Sequence, residues 1–258
     1  MRTRNLPTID AGYWAAIVAA SICGTITGDL AAGPLGLGHV RGILPLTLIF
    51  LAIVWAEKLL DWTTVAFYWL AIIVLRTMAT NIADYATHDL KLSYPIFVLL
   101  LIVFMGAMIW VDRFRADATA QPTATPIAVL PTTDWSYWIL MLAAGVLGTA
   151  LGDWLADAGP GVYWASLIGT PFFVAAVWAA YRFGLGKPWY WMAIAVCRTW
   201  GTDIGDMLIA LFRFAGNSRP VALWVSTVIS ALLLTGVIYF WTRRNTAPGI
   251  AVDSKTAR

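Results

Sequence analysis

The sequence predicts an all-α integral membrane protein, with eight transmembrane helices arranged as two tandem four-helix repeats. Of its 258 residues, 60% are hydrophobic and 12% are charged, and the mean hydropathy is +0.75. This balance is typical of membrane proteins and unlike that of a soluble domain. Fifteen tryptophans fit the same class, because indole rings favour the bilayer interface. The net charge of +3 requires no nucleic-acid partner, and the lipid bilayer is the expected surrounding.

The second observation is an internal duplication, which should be sought before any fold is assigned. The segment from Asp10 recurs from Asp134 at an offset of 124 residues, and the segment from Phe67 recurs from Trp189 at an offset of 122. The first pair aligns Asp10, Tyr13, Trp14, Gly24, Thr25, Gly28 and Asp29 with Asp134, Tyr137, Trp138, Gly148, Thr149, Gly152 and Asp153. The second aligns Arg76, Thr77, Thr80 and Asp84 with Arg198, Thr199, Thr202 and Asp206.

Eight segments are apolar over about the 20 residues that a span requires. They cover residues 12–32, 42–60, 64–85, 94–111, 135–156, 161–181, 188–212 and 220–241. The first follows two arginines but is expected to be a span and not a signal peptide, since its counterpart lies in mid-chain. The predicted organisation is a first repeat (1–111), a cytoplasmic Thr/Ala/Pro-rich linker (112–134), a second repeat (135–241) and a cytoplasmic tail (242–258).

Four spans in each repeat mean that both halves enter the membrane from the same side. We therefore expect a pseudo-twofold axis along the membrane normal. Eleven basic residues lie in the N-terminus, the tail and the connections after spans two, four and six, against four on the opposite side. The positive-inside rule then predicts that both termini are cytoplasmic.

Polar residues recur at helical spacing on spans one, three, five and seven. Thr25 and Asp29 share one face, and Arg76, Thr80 and Asp84 form another line. Such stripes face protein or water and not lipid. The candidate ion-binding residues are Asp29, Asp84, Asp153, Asp203, Asp206, Thr25, Thr80, Thr149, Thr202 and Asn81, with Arg76 and Arg198 setting the charge.

Small residues accompany the polar stripes and predict close helix packing. The glycines in question are Gly24, Gly28, Gly148, Gly152, Gly201 and Gly205. Spans one, three, five and seven are therefore expected to form an inner ring that presents its carboxylates to one another. At about 1.5 Å per residue, Asp29 and Asp84 should lie towards the end opposite the termini.

The inner set holds five carboxylates against two guanidiniums. We expect the arginines to hold some of the aspartates, and the excess charge to be neutralised by protons or by a cation. Oxygen ligands suit Mg, Mn or Ca, although alkali ions remain open. His39 and His88 fall at or near outer loops, so a soft-metal site is less expected, and a site of His88 with Asp84 and Asp89 is a minor alternative.

Paired membrane aspartates also occur in intramembrane aspartyl proteases that carry a GxGD motif. Here the leading glycine is absent from both Thr27-Gly28-Asp29 and Leu151-Gly152-Asp153. The duplication of the motif within one chain departs from that family as well. The sequence therefore predicts no enzyme, and proteolysis is only a remote alternative.

The paired GTxxGD segments and the segments from Phe67 and Trp189 resemble a family of bacterial multi-pass proteins known as uncharacterised membrane-anchored proteins. The resemblance covers nearly the whole chain except the linker and the tail. It implies a duplicated four-span architecture in the bacterial cytoplasmic membrane, and it implies no particular activity.

Two functions fit these residues. In the first, the chain is a small transporter or channel for a divalent metal or another cation, proton-coupled or not, that uses the Asp, Thr and Arg cluster. In the second, it is a structural or accessory membrane protein in which the cluster only holds the two repeats together. The sequence leaves the oligomeric state open.

Overall fold

The computed structural model describes residues 7, 9–59, 65–119, 134–182 and 187–246, and it confirms the all-α class. Eight helices are present in these ranges: α1 (Ala11–Ala32), α2 (Gly38–Leu59), α3 (Val65–Asp84), α4 (Tyr94–Thr119), α5 (Trp135–Ala158), α6 (Val162–Arg182), α7 (Lys187–Phe214) and α8 (Arg219–Thr246). A π-helical turn, Tyr85–Asp89, prolongs α3.

Seven of the eight helices are long and apolar enough to cross a membrane, as expected of a multi-pass membrane protein. The exception is α7, which carries Arg198, Asp203 and Asp206 within nine residues. These three side chains are the ones that made α7 a candidate for function. The charged residues that suggest a functional role for α7 also make it less apolar than an ordinary span.

Several helix ends differ from those predicted. Helix α2 begins at Gly38, four residues before the predicted start of its span. Helix α4 continues to Thr119, into the stretch predicted as linker, because residues 112–119 contain neither proline nor glycine. Helix α8 continues to Thr246, past the predicted end of the second repeat. The rest of the predicted linker and tail, residues 120–133 and 247–258, lies outside the described residues.

Aspartates fix the beginnings of two inner helices. The Asp10 carboxylate accepts a hydrogen bond from the backbone N–H of Tyr13 (2.9 Å), and Asp134 accepts one from that of Tyr137 (3.0 Å). These are N-terminal caps, which satisfy otherwise unpaired amides. Asp10 also accepts a bond from Trp241 Nε1 (2.8 Å), so the beginning of α1 lies beside the end of α8.

Four helices form a central ring. Helix α1 contacts α3 and α7, and α5 contacts the same two helices, which gives the cyclic order α1, α3, α5, α7. Within the most apolar 18-residue stretch, 72% of α1 is buried but only 11% of α4. The four odd-numbered helices are therefore the inner ones, and the even-numbered helices lie around them with large apolar side chains facing outward.

The outer helices connect the two halves of the sequence. Helix α2 lies on α3 and α6 on α7, whereas α4 lies on α5 and α8 lies on α1. The last helix of each half thus packs against the first helix of the other half. The repeats consequently do not form two separate four-helix bundles.

The inner helices approach one another closely at glycines. A β-carbon added at Gly24 would lie 2.6 Å from Arg76 Cβ, and one at Gly148 would lie 2.5 Å from Arg198 Cβ. Both distances are too short for real carbons, so only glycine permits this spacing between helices. The other predicted packing positions, Gly28, Gly152, Gly201 and Gly205, likewise lie against a neighbouring inner helix.

Candidate functional site

The first polar layer on the bundle axis is a closed ring of four tyrosine hydroxyls, one from each inner helix. The oxygen–oxygen distances are 2.9 Å from Tyr13 to Tyr68, 2.6 Å from Tyr68 to Tyr137, 3.1 Å from Tyr137 to Tyr190 and 2.7 Å from Tyr190 to Tyr13. Because each hydroxyl can donate one hydrogen and accept another, a cyclic ring satisfies all four.

A tryptophan follows each ring tyrosine. Trp14, Trp69, Trp138 and Trp191 are all buried, and each lies edge-on to the tyrosine before it, with ring centroids 5.1–5.5 Å apart. This aromatic layer closes the axis at the end of the bundle where α1 begins and α8 ends.

Further along the axis, the guanidinium of Arg76 lies in a ring of four threonines. Its Nη1 donates to Thr80 Oγ1 (3.0 Å) and Thr149 Oγ1 (2.8 Å), and its Nη2 donates to Thr25 Oγ1 (2.6 Å) and Thr202 Oγ1 (2.5 Å). Arg76 is only 1% exposed. One side chain on α3 therefore connects all four inner helices.

Arg198 is equally buried but has much poorer partners. Its Nη1 donates to Ser21 Oγ at 3.3 Å, and its Nη2 reaches only the sulfur of Met141 at 3.6 Å. The Nε of each arginine has no hydrogen-bond partner. A guanidinium carries five N–H donors, so most of the hydrogen-bonding capacity of Arg198 is unused.

Neither arginine lies within ion-pair distance of a carboxylate in the described part of the chain. The arginines therefore form no direct ion pair with the aspartates they were expected to hold. Arg76 precedes Asp84 by eight residues, or about 12 Å along a helix, which is farther than an arginine side chain reaches. Both arginines remain on the axis, on the tyrosine side of the carboxylates.

The carboxylates surround a cavity of about 620 Å³ at the end of the bundle opposite the tyrosine ring. Its polar lining consists of Asp29, Asp84, Asp153, Asp206, Thr25, Thr80, Thr149, His39, His88 and Arg219. Each inner helix thus contributes one aspartate to the cavity. The structure brings together four of the five aspartates that were candidates from the sequence.

These four carboxylates have few partners. Asp29 lies 4.0 Å from the exposed Arg219, and Asp84 lies 3.8 Å from His88 Nδ1. Such distances exceed those of hydrogen bonds. Among the described residues, none of the four carboxylates accepts a hydrogen bond, although Asp84 is only 7% exposed. The cavity is therefore lined by carboxylate oxygens that no described protein donor pairs with.

The histidines lie at this cavity and not in separate loops. His39 Nδ1 lies 2.9 Å from Asp89 Oδ2, and the rings of His39 and His88 are 6.5 Å apart. In the described ranges, no group of three or more His, Cys, Asp or Glu side chains is close enough to hold a metal ion. The residues expected to bind Mg, Mn or Ca, and the alternative set around His88, thus do not form a compact ligand shell.

Asp203 and Asn81 lie away from the cavity. Asp203 is 1% exposed and has an unpartnered Oδ2, which is 3.5 Å from the place of a β-carbon at Gly169 of α6. Asn81 lies against α2, with its Nδ2 2.8 Å from the place of a β-carbon at Gly42, and its amide is unpartnered. Each follows a ring threonine by one residue, and a rotation of about 100° turns it towards an outer helix.

The rings reveal a fourfold pattern in the sequence that the two pairwise alignments do not show. Every inner helix has a tyrosine, a threonine 12 residues later and an aspartate four residues after that. The last six residues of the pattern read GTITGD, ATNIAD, GTALGD and GTDIGD in α1, α3, α5 and α7. Eight residues after the tyrosine stand Ser21, Arg76, Gly145 and Arg198, respectively. Each inner helix is thus a variant of one unit.

Comparison with protein-family models, curated proteins and solved structures finds no match for this chain. The function must therefore be argued from the polar layers themselves.

Proposed function

We propose that this protein is a transporter or channel for a small cation in a bacterial cytoplasmic membrane. Both termini would be cytoplasmic, and the carboxylate cavity would open on the opposite side. The observation that carries the proposal is the set of four carboxylates around one cavity, none of which accepts a hydrogen bond from the described residues.

Asp84 is almost fully buried, and a buried carboxylate is costly unless it is paired; Asp29, Asp153 and Asp206 are only partly exposed, and the cavity offers them few pairs. Arg219 is 4.0 Å from Asp29 with 67% of its side chain exposed, so it neutralises little of the charge. A cation from solution, or bound protons, would supply the missing positive charge. The cavity is therefore suited to attracting and holding a cation.

The layers on the same axis close the far end of the cavity. Below the carboxylates lie the threonine ring with Arg76, then Arg198, then the tyrosine ring. A cavity open at one end and closed at the other is what alternating access requires of one state. We propose a pseudo-twofold axis along the membrane normal, about which the halves would move to open the tyrosine ring. Each hydroxyl bond broken would cost about 1 kcal/mol.

Cation flux in reconstituted vesicles tests the proposal. The double change Asp29→Asn with Asp153→Asn keeps side-chain shape and removes two of the four charges; we expect flux to fall at least about tenfold, a difference of about 1.4 kcal/mol. Asp157→Asn is the matched control, because this exposed carboxylate lies one turn beyond Asp153 and does not line the cavity. Flux that is unchanged in the double variant would rule the proposal out.

The proposed orientation has its own test. In a background with Cys23→Ala and Cys197→Ala, Pro34→Cys places a thiol at the cavity rim, and Arg244→Cys places one near the end of α8. A membrane-impermeant maleimide added to intact cells should label the first variant only. Labelling of the second variant without permeabilisation would reverse the orientation.

A structural or accessory role is the second candidate, and the bonds of Arg76 favour it. One guanidinium that joins a threonine from each inner helix would hold the bundle together whether or not anything is transported. This role predicts that Arg76→Met lowers the melting temperature, while no cation alters the melting temperature of the unmutated protein. A cation that stabilises the protein through the cavity aspartates would count against a purely structural role.

A further inference from the structure

The threonine ring already contains a ligand, which is the guanidinium of Arg76. Its two terminal nitrogens are each shared between threonines of different helices, at 2.5–3.0 Å. The carbonyl of Gly145 lies 3.4 Å from Nη1. A guanidinium presents its N–H groups in one plane as a fixed fork, and acceptors placed around that plane select such a group over a compact ion.

Three of the four ring threonines are oriented to accept. Thr25 donates its own hydroxyl hydrogen to Ser21 O (3.0 Å), Thr202 donates to Arg198 O (3.0 Å) and Thr80 donates to Arg76 O (3.4 Å). A hydroxyl that donates its only hydrogen to a backbone carbonyl can act only as an acceptor towards a group on the bundle axis. The ring therefore favours a cation rich in N–H donors and disfavours an anion.

The cavity above the ring has the size and charge of a site for a small organic cation. Its volume of about 620 Å³ lies in the range of small-molecule pockets. Its carboxylates are spread around the wall. Among the described residues they do not come close enough together to coordinate a metal ion. Asp84 lies here almost fully buried without accepting a hydrogen bond. A carboxylate can accept two parallel N–H bonds from one guanidinium.

We propose that the cation taken up by this protein is a guanidinium-type organic cation, with the ring of Thr25, Thr80, Thr149 and Thr202 as its innermost recognition site. The guanidinium of Arg76 fills this ring in the structure, so a cargo cation would take its place there. The choice of cargo rests on the proposed transport function, whereas the chemistry of the ring is measurable without transport.

Chemical rescue of Arg76→Ala tests the ring. Purified variant is titrated with millimolar guanidinium chloride, far below denaturing concentrations, and with methylguanidine, sodium chloride and magnesium chloride. We expect guanidinium and methylguanidine to raise the melting temperature saturably, by about 5 °C at concentrations well above the dissociation constant. Sodium and magnesium should produce no such rise. Arg198→Ala is the matched control, because within the described residues its removal leaves only Ser21 and Met141 without a partner.

Absence of a saturable rise in Arg76→Ala, or an equal rise in Arg198→Ala, would overturn the assignment of the ring. Should Arg76→Ala not yield folded protein, Arg76→Met keeps most of the aliphatic stem and still vacates the ring, and the same titration applies. Flux measurements distinguish the proposal of a guanidinium site from the proposal of cation transport on which it rests. Rescue without flux of any cation would refute transport and leave the site in place; flux of inorganic cations without rescue or guanidinium flux would refute this inference alone.

Discussion

Arg76 and Arg198 occupy the same position in the repeated unit, but their guanidiniums differ sharply in their hydrogen-bond partners. Each follows its ring tyrosine by eight residues, on helices that face each other across the central ring, and each is 1% exposed. Arg76 nevertheless donates to four threonine hydroxyls, whereas Arg198 donates to one serine and a sulfur. There is one threonine ring on the axis, and one guanidinium fills it.

The equivalent positions on α1 and α5 explain how the symmetry is broken. Gly145 offers Arg76 no side chain, and the place of its β-carbon is 3.8 Å from Arg76 Cδ. Ser21, at the equivalent place on α1, instead accepts a hydrogen bond from Arg198 one turn before the threonine ring. A difference of one residue between the repeats thus accompanies the different positions of the two guanidiniums. The two arginines should respond differently to the same substitutions.

The largest effect is expected for Arg76→Met. The substitution removes four hydrogen bonds from a charged donor to threonine hydroxyls and a longer one to the carbonyl of Gly145, and it leaves the four inner helices without their common partner. We expect the free energy of unfolding to fall by about 3 kcal/mol, since bonds to charged groups are strong and their loss is only partly offset by removing a buried charge. Thermal unfolding in detergent measures this, and a change of less than about 1 kcal/mol would contradict the role given to Arg76.

Gly148→Ala is expected to cost about 2 kcal/mol through overpacking. Its β-carbon would lie 2.8 Å from the backbone carbonyl carbon of Arg198, so the main chain of α7 would have to move. Gly24→Ala should cost less, because the nearest backbone atom of α3, the carbonyl carbon of Arg76, would be 3.3 Å away. Gly106→Ala is the control, with no atom within 4 Å of the added carbon. Equal stability of all three variants would mean that the helices are not in contact as described.

Tyr68→Phe and Tyr190→Phe should each cost about 1–2 kcal/mol, since each breaks two bonds of the hydroxyl ring. The two tyrosines are equivalent in the repeats, so their costs should agree within about 0.5 kcal/mol. The measurement is again unfolding in detergent. A large cost for only one tyrosine would show that the ring lacks the symmetry of the repeated unit.

Arg198→Met should have the smallest effect, within about 1 kcal/mol of the unmutated protein and in the stabilising direction. The substitution removes a buried charge with few hydrogen bonds, and replacing such a group by an apolar one is often neutral or favourable. Comparison of its unfolding midpoint with that of Arg76→Met tests whether the two arginines contribute differently to stability. Equal losses for the two variants would end the distinction between the two arginines.

The part of the site that could be predicted depends on the backbone, and the rest depends on side chains and neighbours. A rise of about 1.5 Å per residue is fixed, so Asp29 and Asp84 could be placed at one end of the bundle by counting. An arginine side chain has several rotatable bonds, so the backbone does not fix where its guanidinium lies. The hydrogen-bond partners of Arg76 therefore could not be predicted from the sequence. Asp203 and Asn81 share a stripe with the other candidate residues, yet only the packing of α2 and α6 shows that they face the outer helices.

The tyrosine ring is a different case, because its residues were visible in the sequence. Tyr13 and Tyr137 align at the first offset, and Tyr68 and Tyr190 align at the second. A comparison of α1 with α3 would have shown the common spacing of 12 residues to the threonine. The tyrosine ring was not predicted, because the alignment of two four-helix repeats does not compare one inner helix with the next inside the same repeat. The cyclic order of the inner helices also depends on tertiary contacts, which the sequence does not give.

The central claim is that the cavity carboxylates bind a cation from solution, and a melting-temperature screen tests it most directly. The unmutated protein and the variant with Asp29→Asn, Asp84→Asn, Asp153→Asn and Asp206→Asn would be melted in detergent with sodium, potassium, magnesium, manganese, calcium and guanidinium chlorides at matched ionic strength. We expect a saturable rise with at least one cation in the unmutated protein and none in the variant. No rise with any cation, or the same rise in both proteins, would contradict it.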